Sequence, residues 1–128
     1  DDDEGRAIWR TLTDGEDDAA SHWRLTVPPT AAAATVAALA AKHDLHARYD
    51  WSGGLVLLSV AADGAAVAPG IHALAQAAGG SAMLLRDRAG APPCPMFAAQ
   101  PAPLAALSAQ VRAAFDPDGV FTDRMASN

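Results

Sequence analysis

Between the polar run Asp14 to Ser21 and the pair Pro28-Pro29, Trp23, Leu25 and Val27 alternate with Arg24 and Thr26. A period of two predicts a strand with one buried face. Thr30 is placed to cap a following helix, in which Val36, Leu39 and His43 mark one face among helix-favouring alanines, ending near Asp44. Alternation returns from His46 to Trp51, with Ala47, Tyr49 and Trp51 opposed to His46, Arg48 and Asp50. Ser52-Gly53-Gly54 then reads as a hairpin turn, because glycine reaches positive φ without steric cost. Leu55 to Val60 is apolar on both faces and predicts a central strand. Residues 65–78 carry Ile71, Leu74, Ala75 and Ala78 at helical spacing, Gly79-Gly80 ends that helix, and Ser81 to Arg86 forms a last strand.

Strand, helix, hairpin, helix, strand is the βαββαβ pattern, so the expected class is α+β: a ferredoxin-like, four-stranded antiparallel sheet with both helices on one face, over residues 23–86. Three segments flank it. Residues 1–22 form an acidic segment with a short helix, in which Ile8, Trp9 and Leu12 share a side and Trp9 is the anchor. Residues 87–102 are a Pro- and Ala-rich connector with Met96-Phe97 as its docking point. Residues 103–128 form an added C-terminal helix and tail. Leu104, Leu107, Val111, Ala114 and Phe115 give that helix an apolar side, and Asp116-Pro117-Asp118-Gly119 ends it with turn chemistry. The apolar side needs a surface, either this sheet or a neighbouring domain.

Composition narrows the classes further. A chain of 128 residues fits one domain, and its 51% hydrophobic content is largely alanine with only 5% aromatic residues, so a few large side chains must carry the core. A net charge of -6 argues against a nucleic-acid surface and against anionic membranes. Cys94 is the single cysteine, which excludes an intramolecular disulfide and points to a reducing compartment. No apolar run approaches the length of about twenty residues that a membrane span needs. The expectation is a cytoplasmic protein without membrane insertion. The start without Met, at Asp1-Asp2-Asp3-Glu4, reads as a piece of a longer protein, natural or cut at a domain boundary.

Candidate chemistry is sparse. His43 and His46 are three apart, but Asp44-Leu45 ends the helix between them and no cysteine pair stands near, so no metal site is expected. Cys94 lies between prolines with no base close in sequence, and no catalytic residue is assigned. Asp116, Asp118 and Gly119 echo a calcium loop whose later acidic ligands are missing. Arg24, Arg48 and Arg86 all fall on predicted strands, where they form either a positive patch for a carboxylate substrate or ordinary ion pairs with the many acids. Of these, Arg24 and Arg86 are the substrate candidates. Trp23 and Trp51 are expected to anchor the core.

The C-terminal stretch also resembles a known signature. Phe115, Asp116, Pro117, Gly119, Val120, Phe121, Arg124 and Met125 are similar to the Phe-Asp-Pro-x-Gly-Ile/Val-Phe turn and the following Asn-Pro-Gly-Arg/Lys-Met of FAD-linked oxidases of the vanillyl-alcohol-oxidase type. Thr122-Asp123 depart from that pattern, standing where the family has Asn-Pro-Gly. The segments Trp23-Arg24-Leu25-Thr26-Val27-Pro28, Trp51-Ser52-Gly53-Gly54 and Ala78-Gly79-Gly80-Ser81-Ala82 resemble, in the same order, one branch: the FAD-binding subunit of glycolate oxidase.

The resemblance implies the C-terminal cap, or substrate, domain of a flavoprotein that oxidises 2-hydroxy acids. FAD would belong to the parent protein and be held by an N-terminal FAD-binding domain outside this chain, with flavin and iron-sulfur subunits as partners. Phe121 and Arg124 would lie beside the cofactor. Loss of the family's Asn amide at Thr122-Asp123 weakens that contact, and this chain alone is expected to be inactive. Neither Gly53-Gly54, between strands, nor Gly79-Gly80, at a helix's carbonyl end, provides the pyrophosphate cradle that FAD requires. The alternative is a free-standing ferredoxin-like binding or oligomerisation module without redox activity, pairing as a homodimer through its exposed sheet.

Overall fold

The computed structural model describes residues 3–6, which are helical, and residues 19–120. The expected helix around Trp9 and the tail residues Phe121, Arg124 and Met125 lie outside the described residues. Chain order is β1 (Ser21–Thr26), α1 (Pro29–Ala40), β2 (Leu45–Asp50), a 3-10 turn (Trp51–Gly53), β3 (Leu55–Val60), α2 (Gly64–Ala77), β4 (Ser81–Arg86) and α3 (Ala102–Phe115). The strands form one four-stranded sheet in the order β2-β3-β1-β4, and every neighbouring pair is antiparallel. This is the expected α+β, ferredoxin-like arrangement.

Register explains why the core sits where it does. Trp23 lies opposite Leu58 on one side and Leu84 on the other, and Leu25 lies opposite Val56 and Ala82. These side chains point to one face and meet Ala32, Val36 and Leu39 of α1 with Val67, Ile71 and Ala75 of α2. Trp23 is the largest fully buried side chain. Its indole N–H donates to Ser21 Oγ at 3.1 Å, which satisfies a polar atom that would otherwise be costly to bury. The His72 ring of α2 stands edge-on to the indole, with centroids 5.4 Å apart.

Local chemistry sets the helix ends, with differences from expectation. Pro28 precedes α1 and Pro29 is its first residue, so Thr30 lies inside the first turn rather than at the cap. α1 stops at Ala40, leaving His43 in the turn beyond. The start of α2 is capped from across the chain: Asp87 Oδ1 accepts from the Gly64 amide at 2.7 Å and from its neighbour Arg88 at 2.9 Å. A carboxylate at a helix N-terminus also meets the positive end of the macrodipole. Gly79, at φ 77°, closes α2, and Gly80 packs so tightly on β1 that an added Cβ would collide with the Thr26 carbonyl.

The hairpin turn corrects one expectation. Trp51 does not anchor the core; it is 67% exposed. Trp51, Ser52 and Gly53 take three successive positive φ values, 49°, 55° and 91°, and Gly54 N–H closes the turn on the Trp51 carbonyl at 3.0 Å. β2 therefore ends at Asp50, whose carboxylate accepts from the Trp51 amide at 2.7 Å, and the indole is carried past the last covered rung.

Beyond β4 the connector docks as expected. Leu84 N–H donates to the Met96 carbonyl at 2.8 Å, and Phe97 bridges to Met83 on the outer side of β4. α3 behaves differently from α1 and α2. None of its residues is buried, and Leu104, Leu107, Val111 and Phe115 are exposed, Phe115 at 84%. The helix ends before Pro117, with Asp116 Oδ1 accepting from Val120 N–H at 2.7 Å.

Candidate functional site

The alternation that sends Trp23 and Leu25 into the core sends His22, Arg24 and Thr26 to the opposite face, which neither α1 nor α2 covers. Pairing across the sheet arranges that face in rungs. One runs His46, Ser59, His22, Arg86; the next runs Arg48, Leu57, Arg24, Met83; the third runs Asp50, Leu55, Thr26, Ser81. The register shift between His22 and Trp23 puts Arg86, rather than Leu85, beside His22. The fold thus gathers Arg24, Arg48 and Arg86 on one face, with His22 and His46 among them, in a chain whose net charge is -6.

The cations are held differently. His22 is buried, its Nδ1 is 3.0 Å from Ser59 Oγ and its Nε2 is 3.3 Å from Arg86 Nη2. A guanidinium only donates, so Nε2 must be the accepting nitrogen and Nδ1–H donates to Ser59. That chain holds Arg86 against β1. Arg24, on a central strand between Leu57 and Met83, has a buried Nε with no hydrogen-bond partner among the described residues. An unmatched buried donor on a cation is costly unless something binds it.

An open cleft of about 930 Å³ lies on the outer side of β4 between the sandwich and α3, lined in part by His72, Leu84, Cys94, Phe97, Leu104 and Arg112. Burial lowers the His72 pKa below its ordinary value. Burial, then the Asp87 charge, raises that of the Cys94 thiol. A raised thiol pKa disfavours the nucleophilic thiolate. Among the described residues no group of three or more His, Cys, Asp or Glu side chains is placed to hold a metal ion. None of their helices is long and apolar enough to cross a membrane.

The described residues do not fit the FAD pyrophosphate. Phosphate seeks free amides at a helix N-terminus. α1 and α3 begin at prolines or directly after one, and the glycine-opened start of α2 is already filled by the Asp87 carboxylate. Gly53 lies in the hairpin turn and Gly79 at the carbonyl end of α2.

Of the residues proposed from sequence, Arg24 and Arg86 stand on adjacent rungs of the open face, with Arg48 beside Arg24 across Leu57. Phe121 and Arg124 lie outside the described residues. Sequence reasoning missed His22, Ser59, Leu57 and Met83 as parts of the site. The alternation around Arg24 marked His22 as sharing its face, but the rung partners follow only from register.

No family model, curated protein or solved structure matches the chain.

Proposed function

We propose that this chain is the C-terminal cap, or substrate, domain of an FAD-linked 2-hydroxy-acid oxidoreductase, similar to the FAD-binding subunit of glycolate oxidase. The observation that carries the reading is the open sheet face, where Arg24 presents an unmatched donor beside Arg48 and Arg86. A guanidinium fork is the side chain best suited to a carboxylate. In the resembled family such a face roofs the flavin and touches the substrate. The exposed apolar side of α3 supports the same reading, since a neighbouring domain would cover Leu104, Leu107, Val111 and Phe115.

In this reading FAD is held by a separate N-terminal domain, which supplies the hydride acceptor, and electrons leave through an iron-sulfur subunit in the cytoplasm. No redox step is assigned to residues of this chain. The chain contributes the lid, the substrate's anion contact and the subunit interface.

The test is a titration of FAD, followed by flavin fluorescence, against this chain and against a form extended N-terminally in its parent reading frame. Binding by the extended form alone is the expected result. Tight binding by these 128 residues overturns the assignment of the cofactor to another domain. A parent frame with no flavin domain overturns the reading in favour of a free-standing module that pairs through its open face.

A further inference from the structure

We infer that the open face is a subsite for a carboxylate carrying an apolar side chain, with Arg24 as the anion receptor and Leu57, Met83 and Phe97 as the floor for the side chain. The inference that this ligand is a 2-hydroxy acid rests on the functional reading above; the carboxylate subsite itself rests on geometry.

Arg24 Nε is the decisive atom. It is buried and unmatched, whereas Arg86 is engaged by His22. The Nε edge of a guanidinium carries two parallel N–H donors, the geometry that grips both oxygens of one carboxylate, and since Nε has no exposed surface an incoming carboxylate must move the side chains over it aside. Rung neighbours lie within side-chain reach, at Cβ separations of roughly 5 Å. Arg48, two strands away across Leu57, and Arg86, opposite His22 on the adjacent rung, lie farther from Arg24 than its direct partners and reach the anion only as longer-range charge. Asp50, the acid of the next rung, is turned to the Trp51 amide.

The flanks of Arg24 are not polar. Leu57 and Met83 are its direct neighbours on either side and are half-buried, and Phe97 extends the same rung beyond Met83. A carboxylate seated on Arg24 therefore has its side chain laid along hydrocarbon and a thioether. Methionine's unbranched side chain adapts to different apolar shapes. A two-carbon acid leaves this floor wet, while a branched or aromatic acid covers it. The same arrangement disfavours inorganic phosphate, which would gain charge contacts but no apolar burial.

The test uses the 128-residue chain, with arginine Nε–H signals followed by NMR and the Arg24 signal assigned from its loss in Arg24→Lys. The probes are 2-hydroxy-4-methylpentanoate, glycolate and phosphate. The expected result is a shift of the Arg24 signal, with 2-hydroxy-4-methylpentanoate binding about tenfold more tightly than glycolate. Arg24→Lys, which keeps the charge but loses the fork, should weaken binding by about 10- to 100-fold. Met83→Ala should remove most of the preference for 2-hydroxy-4-methylpentanoate over glycolate, and Leu57→Ala gives the same readout from the other flank.

An Arg24 signal unmoved by any carboxylate overturns the subsite. Equal affinity for the two acids overturns the apolar floor, and preference for phosphate overturns the carboxylate assignment. Carboxylate binding at Arg24 combined with failure of the extended form to take FAD sinks the flavoprotein reading and leaves the subsite standing. FAD binding with a silent Arg24 does the reverse.

Discussion

The two faces of the sheet are built from the same strands and obey opposite rules. On β1, Trp23 and Leu25 are fully buried under α1 and α2, while His22 and Arg24, one residue away from each, face the uncovered side. On the covered face Trp23, Leu25, Val56, Leu58 and Leu84 pack into one cluster and the indole N–H has its acceptor. On the open face a buried guanidinium nitrogen has none. Packing is concentrated on one face, while of the two unmatched buried polar atoms among the described residues one, Arg24 Nε, lies on the open face and the other, Asp87 Oδ2, at the start of α2.

Substitutions sharpen that contrast. The largest effect is expected at Trp23→Ala, which should cost about 3–5 kcal/mol in denaturant unfolding and leave little folded protein. A cost below about 1 kcal/mol would break the view that this residue carries the core. Gly80→Ala comes next, at roughly 1–3 kcal/mol, because its Cβ is driven into β1 backbone that cannot yield without disturbing the sheet. Asp87→Ala should cost about 1 kcal/mol by uncapping α2, measured by the midpoint of urea unfolding, and Asp87→Asn should recover part of it.

Arg24→Leu tests the open face from the other direction. It removes an unmatched donor and adds apolar contact with Leu57 and Met83, so stability should stay level or rise by up to about 1 kcal/mol while carboxylate binding disappears. A loss comparable to that at Trp23 would mean that the two faces do not divide their roles. The smallest effect concerns pH. Burial depresses the folded-state pKa of His72, so the unfolded chain binds the proton more readily. His72 should therefore contribute stability that is present above its ordinary value of 6.5 and is lost as pH falls through the depressed folded value. His72→Gln should flatten that acid limb in thermal melts recorded across the same range.

The fold was legible because its signals are local. β3 and β4 fall at the residues their apolar pattern marks, and glycine ends α2 where expected. Trp51 shows where locality fails. Its alternation with Tyr49 and Ala47 is genuine, but three consecutive positive φ values end the strand before the indole can be covered. The site was half legible. Three strand arginines were visible as a set, but the shift that brings Arg86 to His22, and the Leu57 and Met83 flanks of Arg24, depend on which residues pair across strands distant in sequence. The α3 stripe was visible as well, yet nothing local specifies what should lie against it.

The asymmetry of the sheet's borders has a consequence for assembly. Met96-Phe97 occupies part of the outer border of β4, whereas among the described residues β2 pairs with β3 alone and its other border is bare. Sheet extension from copy to copy needs two bare borders on each molecule. With one, a second copy can add only β2 to β2, and the pair that results has no further strand to offer. Self-pairing by this route closes at two and cannot run on into a fibre.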